Sequence, residues 1–291
     1  MILINELTKY YGKKTKGIDR LSLSINEGEI FGFIGPNGAG KSTTVRTLLN
    51  LIFPTSGEAT MMDLDIVKDS VEIRKNIGYV PSEVHFYSEM IVKDLVKYSV
   101  KFYPENHHLS INDLAERLEL DLNKKVNELS YGNKKKLAIV LALIHQPRIL
   151  IFDEPTSGLD PLIQSVFFDL LKKEKERGAT IFFSSHVLSD VQKICDRVGI
   201  IKEGKLIKIE KVEDIMKNQA KNIKLVSDNL KISEDENIVN LSKIDNKFHF
   251  TYKGKISDLL KMISHYHIED ITVSEPSLEE IFMHYYNKED Q

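Results

Sequence analysis

The sequence predicts an α/β fold built on a parallel sheet, followed by a small α+β domain. The first observation is a short apolar run at residues 30–34, which precedes a glycine-rich loop and then a helical pattern. The second is a pair of continuous apolar runs, at residues 149–152 and 180–183, that end in polar residues as buried parallel strands do. The third is a change of texture late in the chain, where short strand patterns and helical patterns follow one another. We therefore place a first domain at residues 1–211 and a second at residues 212–291.

The segments on either side of the glycine-rich loop have different periodicities. Residues 2–7 and 18–25 alternate or cluster apolar side chains around a turn-rich stretch, as two antiparallel strands do. After the loop, apolar residues recur at helical spacing, at Val45, Leu48, Leu49 and Ile52. Residues 54–57, Pro-Thr-Ser-Gly, are typical of a helix stop, so we expect the helix to run up to them.

The middle of the chain predicts helices. Between residues 90 and 129, apolar residues recur at amphipathic helical spacing without intervening strands, which indicates a helical insertion at about residues 88–145. Further helices are expected to start near Pro161 and Asp190, so that strands and helices alternate around the parallel sheet.

The second domain is predicted to be a compact α+β appendage. Its strand candidates are residues 223–226, 238–241, 248–252 and 271–273. Its helix candidates are residues 257–266 and 277–286. The neighbouring His265 and His267 have no cysteine nearby in the sequence, so we expect them on the surface rather than in a metal site.

The composition is that of an ordinary globular protein and disfavours several classes of function. Of the 291 residues, 42% are hydrophobic and 29% are charged, and 40 Lys and Arg face 43 Asp and Glu. The net charge of −3 does not favour nucleic-acid binding, so no nucleic-acid partner is expected. The longest apolar run, residues 137–144, is far shorter than the ~20 residues that cross a bilayer, so no membrane span is expected.

The first residues and the single cysteine indicate a cytoplasmic protein. The N-terminal segment lacks the basic start and long apolar centre of a secretory signal. Cys195 has no second cysteine with which to form an internal disulfide, and we expect it to be a small core residue on a helix.

An eight-residue motif carries the strongest indication of function. It reads G-x-x-x-x-G-K-S, and its residues are Gly35, Pro36, Asn37, Gly38, Ala39, Gly40, Lys41 and Ser42. Glycines at this spacing let the backbone curl so that N–H groups point at phosphate oxygens, and the helix start adds its positive end. We expect Lys41 to neutralise the β- and γ-phosphates, Ser42 to bind Mg²⁺, and the adjacent Thr43 to complete the phosphate-binding loop.

Two adjacent carboxylates, Asp153 and Glu154, follow the apolar run at residues 149–152. Asp153 is placed to hold Mg²⁺ directly or through water, and Glu154 to polarise the water that attacks the γ-phosphate. Taken alone, the pair would be interpreted as surface acids that cap a turn before Pro155. The phosphate-binding loop upstream reverses that preference.

Further motifs occur in a fixed order around these two. LSYGN at residues 129–133 precedes a long helical run, SGLD at residues 157–160 follows the carboxylates, and His186 follows the second buried strand. With the phosphate loop and an aromatic Tyr11 ahead of it, this order resembles the ATP-binding cassette (ABC) ATPase family over residues 2–210. The three segments are similar to the family's LSGGQ signature, its D-loop and its switch-histidine position.

The resemblance implies a P-loop NTPase fold of ABC ATPase type, with an antiparallel β subdomain and a helical subdomain. It also implies ATP and Mg²⁺ as ligands, ATP hydrolysis, and a head-to-tail pairing of two cassettes. The pair is either a homodimer or this chain with a related ATPase. The residues expected to reach the nucleotide held by the partner's phosphate loop are Ser130, Gly132, Asn133 and Asp160. His186 is then expected at the γ-phosphate and Tyr11 against adenine.

Simpler interpretations of these residues stay open at this point. Ser130 and Asp160 are good helix N-caps, and Tyr11 could be only a packed turn residue. His186 on its own would more often be structural. The lysines at residues 134–136, just after the signature, could attract phosphate, but a solvated helix face is the preferred interpretation.

The chain departs from the family pattern at two places. Where the family usually has glutamine after a Gly-Tyr-x-Pro strand, this chain has Ser82 and Glu83, and Ser82 is too short to reproduce the reach to Mg²⁺. Either Glu83 or a bridging water substitutes, or the metal lacks that ligand and hydrolysis is less tightly tied to partner docking. The signature has Tyr131 for glycine and Asn133 for glutamine, from which we expect weakened rather than abolished function.

The resemblance implies the ATP-binding and ATP-hydrolysing subunit of an ABC transporter that works through a separate transmembrane permease subunit. The helical insertion and the loop at residues 82–87 are expected to touch that permease, which would hold the chain at the inner face of the cell membrane. The segment at residues 273–282 resembles the small C-terminal domain of export-type ATPases for antibiotics, peptides or lipids. Dimer support or regulation is its expected role.

Two alternatives belong to different classes. A soluble ABC ATPase could act on nucleic acid, ribosomes or an assembly partner, but the single cassette and the net charge of −3 disfavour it. A regulatory module that barely hydrolyses ATP draws support from the altered signature and the missing glutamine. Turnover by the purified protein, abolished in Glu154→Gln, distinguishes an active motor from such a module.

Overall fold

The computed structural model of this protein describes residues 1–12, 15–103, 109–217 and 221–274. The chain divides into two compact units, Met1–Glu210 and a second one that begins at Lys211. Within the described ranges, no helix has both the length and the apolar character that a membrane crossing needs.

Strands and helices alternate along much of the first unit. Its strands are β1 (Ile2–Tyr11), β2 (Thr15–Ile25), β3 (Ile30–Ile34), β4 (Ser56–Met61), β5 (Leu64–Asp65), β6 (Ile77–Val80), β7 (Ile149–Asp153), β8 (Thr180–Ser185), β9 (Arg197–Lys202) and β10 (Lys205–Lys211). Its helices are α1 (Lys41–Leu48), α2 (Ser70–Lys75), α3 (Val92–Val100), α4 (Ile111–Arg117), α5 (Tyr131–Leu143), α6 (Pro161–Glu176) and α7 (Leu188–Ile194), with a 3₁₀ turn at Val126–Glu128. Helix α6 begins at Pro161 as predicted, and α7 begins slightly before the predicted Asp190.

The central sheet has its strands in the order β10-β9-β3-β8-β7-β6. Strand β3 pairs in parallel with β8 and β9, and β7 pairs in parallel with β6 and β8. Every residue of β3, β7 and β8 is buried, which is typical of a parallel sheet covered on both faces. The carboxyl ends of these three strands therefore meet at one edge of the sheet, and the residues that follow them are brought together.

A second sheet in this unit is antiparallel, in the order β2-β1-β4-β5. Ile2 and Leu21 of this sheet are fully buried and share one hydrophobic core with Phe33 and Phe182 of the central sheet. The two antiparallel strands predicted before the glycine-rich loop are β1 and β2, and both are longer than predicted. The first unit is an α/β fold built on a parallel sheet, as the sequence predicts, and it carries the antiparallel β subdomain that the resemblance implies.

The predicted helical insertion contains α3, α4, the 3₁₀ turn and α5. Its described part has one isolated β-bridge, between Ile91 and Lys125, in place of extended strands. Helix α5 packs against β6, α3 and α4, so residues 135–140 are buried without interruption. The insertion therefore connects directly to the central sheet through α5.

Helix α1 is shorter than its apolar pattern predicts. It ends at Leu48, and Asn50 adopts a left-handed conformation with φ 51°, which asparagine tolerates better than most residues. Leu49 is buried although it lies beyond the helix. The predicted stop at residues 54–57 is therefore wrong, and Ser56 instead begins β4. The apolar spacing predicts too long a helix because the apolar side chains of the turn after α1 are buried as well.

The second unit begins with α8 (Val212–Lys217), a helix absent from the sequence-based expectations, and also contains α9 (Ile256–Ile263). Its strands are β11 (Lys221–Val226), β12 (Ile238–Ile244), β13 (Lys247–Tyr252) and β14 (Asp270–Ser274). They form an antiparallel sheet in the order β12-β13-β11-β14. Leu259 and Ile263 of α9 share a core with Phe248 and Phe250 of the sheet. Each predicted strand is present, and the helix predicted at residues 277–286 lies outside the described residues.

Candidate active site

The glycine-rich loop joins the end of β3 to the start of α1. Gly40 has φ 110°, and a Cβ atom there would lie 2.5 Å from the backbone oxygen of Gly17. At Gly35 a Cβ atom would lie 2.3 Å from the backbone oxygen of Ile201. Both positions require glycine because a side chain would collide with backbone that cannot move aside. The tip of the loop, residues 36–38, is exposed, so a ligand can approach its backbone closely.

Lys41 is the first residue of α1, and its side chain is only 5% exposed. Its Nζ atom donates hydrogen bonds to the backbone oxygens of Gly35, at 2.8 Å, and Pro36, at 3.2 Å. The same atom lies 3.2 Å from Oε1 of Glu154. The ammonium group is thus held inside the loop and pairs with the second of the two predicted carboxylates.

Glu154 directly follows β7 and links two other predicted residues. Besides the contact with Lys41, its Oε2 atom lies 3.0 Å from Nδ1 of His186, which follows β8. Its backbone has φ 51°, and its N–H donates to the oxygen of Ser184 at 3.1 Å. A cleft of about 350 Å³ opens here, lined by Glu154 and His186 and by the D-loop residue Gly158 among others. The structure therefore brings Lys41, Glu154 and His186 together at the carboxyl edge of the sheet.

Asp153 is the last residue of β7 and is fully buried. Its Oδ1 atom accepts a 2.7 Å hydrogen bond from Oγ of Ser184, whereas the buried Oδ2 atom has no hydrogen-bond partner among the described residues. A buried carboxylate oxygen without a partner is costly unless a cation or water satisfies it. Ser42, half-buried in the first turn of α1, offers a hydroxyl oxygen of the kind that Mg²⁺ accepts. These residues fit a magnesium ion.

Tyr11 ends β1, and the residue is 41% exposed. Its hydroxyl oxygen lies 3.4 Å from Oγ1 of Thr43, which belongs to the first turn of α1. The antiparallel sheet therefore places an aromatic ring beside the phosphate loop, where a nucleotide base could stack on its face.

The signature and the D-loop form helix caps. Ser130 caps α5, and its Oγ atom accepts from the backbone N–H of Asn133 at 3.3 Å. Asp160 caps α6 and accepts from Leu162 and Ile163 at 3.1 and 3.0 Å. The backbone N–H of Ile163 is the main reason why the pKa of Asp160 lies below its usual value.

These capping residues are not joined to the phosphate loop within one chain. Across the described residues, no hydrogen bond or ion pair connects Ser130, Gly132 or Asn133 with residues 35–42. Gly132 instead approaches the D-loop, since a Cβ atom there would lie 2.5 Å from the backbone oxygen of Gly158.

The lysines after the signature do not form a solvated helix face. Lys135 is completely buried and Lys136 is 8% exposed, while Lys134 is half-buried. The preferred sequence interpretation is therefore wrong for the first two. The signal for burial was present in the apolar run at residues 137–144, because a helix that is apolar on every face is buried on every face, including its first turns.

The loop after β6 differs from what a glutamine would provide. The backbone oxygen of Ser82 accepts a hydrogen bond of 3.3 Å from the hydroxyl of Tyr131. The side chain of Glu83 is 84% exposed and lies 3.9 Å from His85. A role for Ser82 or Glu83 at the metal stays a prediction.

The fold and the site define a nucleotide-hydrolysing protein of the P-loop class. The central strand of a parallel sheet leads into a phosphate loop, and an acidic pair and a histidine stand at the same edge. Residues 18–157 match the family described as ABC transporter, and residues 211–286 match the family described as ATP-binding protein DrrA1-3-like, C-terminal domain.

The chain is also similar to individual proteins over most of its length. It is 35% identical to the bacitracin transport ATP-binding protein BcrA of Bacillus licheniformis, over 97% of this chain and 96% of BcrA. It is 33% identical to the ABC transporter ATP-binding protein NatA of Bacillus subtilis, over 84% of this chain and 98% of NatA. A solved dimeric ATP-binding cassette in a post-hydrolysis state, bound to ADP and Pi, matches with a TM-score of 0.66 and 26% identity, over 73% of this chain and 99% of that one.

The chain belongs to the ATP-binding proteins of ABC transporters, of the export type. It is an ATPase that binds ATP and hydrolyses it to ADP and phosphate. This hydrolysis is coupled to transmembrane transport. The family resemblance, the fold class and the ATPase activity expected from the sequence are confirmed. The relatives also favour the transporter subunit over the soluble ABC ATPase.

Proposed function

We propose that this chain energises export of a peptide, antibiotic or lipid through a separate transmembrane permease subunit, to which it binds at the inner face of the cell membrane. Its similarity to a bacitracin transport protein over nearly the whole of both chains supports a substrate of that kind. The match of residues 211–286 to a DrrA-like C-terminal domain supports the same export type.

The phosphate loop binds the triphosphate of ATP. Its backbone N–H groups and the ammonium of Lys41 contact phosphate oxygens, and Tyr11 stacks against adenine. Ser42 and Asp153 would hold Mg²⁺, and the observation that supports this is the buried Oδ2 atom of Asp153, which has no hydrogen-bond partner in the described part of the chain. When bound, Mg²⁺ supplies positive charge to the β- and γ-phosphate oxygens.

Glu154 is the residue that activates water. As the water oxygen bonds to the γ-phosphorus, the bond to the bridging oxygen of ADP breaks and Glu154 takes up the released proton. His186 holds the Glu154 carboxylate through the 3.0 Å contact and also reaches the γ-phosphate. The position of Glu154 between Lys41 and His186 is the observation that carries this assignment.

A second cassette completes each site. Ser130, Gly132, Asn133 and Asp160 lie at helix starts, and within the described ranges these residues make no bond to their own phosphate loop. A helix start favours an anion, so these residues are proposed to contact the ATP of a partner cassette in a homodimer or a pair with a related ATPase. The dimeric cassette among the similar solved structures supports this pairing.

The substitution Glu154→Gln tests the assignment of the water-activating residue. It removes the proton acceptor and keeps the shape, so we expect ATP turnover of the purified chain to fall by about a hundredfold or more while ATP still binds. Phosphate release and fluorescent-nucleotide titration measure the two quantities. Glu176→Gln, which changes an exposed carboxylate on α6, is the matched control. Turnover that survives in Glu154→Gln would show that another residue activates water.

The permease is tested by purifying the tagged chain from its native cells in detergent, with and without ATP. A stoichiometric protein with several membrane spans is the expected companion, and its identity would point to the exported substrate. Recovery with only soluble proteins, ribosomes or nucleic acid would contradict the proposed partner.

A further inference from the structure

Two side chains on one face of α5 hold the loop that follows β6. Tyr131 and Lys135 are four residues apart, so they lie on the same side of the helix. The hydroxyl of Tyr131 donates to the backbone oxygen of Ser82 at 3.3 Å, and Nζ of Lys135 donates to that of Pro81 at 2.7 Å. Two successive carbonyl groups of the loop therefore accept hydrogen bonds from side chains of a single helix.

The same ammonium group reaches the catalytic edge of the sheet. Nζ of Lys135 also donates to the backbone oxygen of Glu154 at 3.3 Å. The side chain is completely buried, where an ammonium is tolerated only if it has several acceptors. Burial lowers the pKa of Lys135 to about 8, against the opposing charges of Asp153 and Glu154, so the group is mainly charged at neutral pH.

Two hydrogen bonds fix the backbone of Glu154 in an unfavourable conformation. Its left-handed φ of 51° is a strained conformation for a residue with a side chain. Its N–H is fixed by Ser184 and its carbonyl by Lys135. Together these two bonds set the direction in which the carboxylate leaves the chain, toward Lys41 and His186.

We propose that Tyr131 and Lys135 form a tether between the Pro81–Ser82 backbone and Glu154, in which Lys135 is a positioning residue for the hydrolytic step. The tether links the loop to the water-activating residue through main-chain carbonyls, in a chain whose Ser82 side chain is too short to reproduce the reach of a glutamine to Mg²⁺. A shift of the loop is then transmitted to Glu154 through one ammonium group. The inference rests on the proposed role of Glu154.

The test compares variants of the full-length chain by steady-state ATP hydrolysis and by hydrogen exchange of residues 79–87. In Lys135→Met, kcat should fall about tenfold or more while KM for ATP changes less than about twofold, because positioning is lost and nucleotide contacts are kept. Lys135→Arg, which keeps a charged donor, should recover part of kcat. Exchange at residues 79–87 should accelerate in Lys135→Met. Lys172→Met, which removes an exposed ammonium from α6, is the matched control.

Tyr131→Phe supplies a second variant that keeps the proposal open to disproof if Lys135→Met does not fold. Tyr131 is half-exposed, and the change removes only the hydroxyl that bonds Ser82. It should also raise exchange at residues 79–87 and lower kcat, by less than Lys135→Met does. Unchanged kcat and exchange in Tyr131→Phe, or unchanged kcat in a folded Lys135→Met, would overturn the tether. Loss of turnover in Glu154→Gln alongside an unaffected Lys135→Met would reject only the tether, whereas full turnover in Glu154→Gln would reject the proposed function beneath it.

Discussion

At the scale of single residues, the carboxylate of Glu154 is held between two groups of different kinds. Lys41 contributes an ammonium at 3.2 Å, and His186 contributes a ring nitrogen at 3.0 Å. Lys41 also bonds two loop carbonyls, so its charge is shared among several oxygens. In the proposed complex with ATP, phosphate oxygens compete for that ammonium, so we expect Glu154 to be held mainly by His186 and by the backbone bonds described above.

Lys135 also gives the stability of the protein a dependence on pH. Its pKa falls from 10.5 to about 8 in the folded chain because it is buried. Between these values the unfolded chain binds a proton that the folded chain does not, so stability rises with pH across this window. We therefore expect the urea unfolding midpoint of the wild type, relative to that of Lys135→Met, to increase from pH 7.5 to pH 10. Measurements without nucleotide check this, and a constant or falling difference would contradict it.

The sequence predicts some of these residues much better than others. Lys41, Asp153 and Glu154 are candidates because their neighbours in sequence form strand-to-loop motifs with a defined chemistry, and the structure places Lys41 and Glu154 in contact. The burial of Lys135 is harder to predict, because three consecutive lysines suggest a solvated surface and the apolar run after them is the one sequence signal against it. The packing of α5 against β6 and α3 excludes solvent from this lysine. The contacts of Tyr131 and Lys135 with the loop after β6 join residues about 50 positions apart, which no local pattern reveals.

At the scale of elements, the phosphate loop is fixed by the strand and helix that flank it. Strand β3 was predictable because all its residues are apolar or glycine and all are buried. The end of α1 was not, because the left-handed Asn50 stops the helix while Leu49 still packs in the core. The local spacing of apolar residues therefore predicts that helix α1 exists. Its length depends on where the chain turns back toward the sheet, which that spacing does not show.

The junction of loop and helix should tolerate a methyl group at one glycine and not at another. Gly40→Ala places Cβ against the backbone oxygen of Gly17, whereas a Cβ at Gly38 meets nothing within 4 Å. Both have positive φ, so both changes carry backbone strain. The collision should make Gly40→Ala lower the free energy of unfolding by about 1–3 kcal/mol more than Gly38→Ala does. Urea titration of both variants measures this, and equal losses would show that the collision is relieved cheaply.

At the scale of the whole molecule, the proposed site draws on two cassettes. The phosphate loop and Glu154 lie at the carboxyl edge of the sheet, whereas the capping residues of the signature are those proposed to contact the nucleotide of a partner cassette. The sequence could suggest this only through the family's arrangement, because no pattern within one chain states which of its surfaces meet in a dimer.

Removing residues 212–291 should weaken the pairing of cassettes more than it weakens nucleotide binding. The phosphate loop and Glu154 lie within the unit Met1–Glu210, so ATP affinity should change little. Sedimentation with ATP in the Glu154→Gln background, beside fluorescent-nucleotide titration, measures both quantities, with the full-length Glu154→Gln chain as control. Intact association of the shortened chain would rule out dimer support by the second unit.

The strand order of the central sheet governs when a newly made chain acquires its nucleotide site. Strand β3 is synthesised early, yet its two neighbours, β8 and β9, begin at Thr180 and Arg197. The ribosome must therefore translate about two thirds of the chain before the strand that carries the phosphate loop can be paired on both sides. At ordinary elongation rates of about 5–20 residues per second, the ribosome needs several seconds more to add the second unit. During that interval the central sheet of the cassette can form while the chain is still attached to the ribosome.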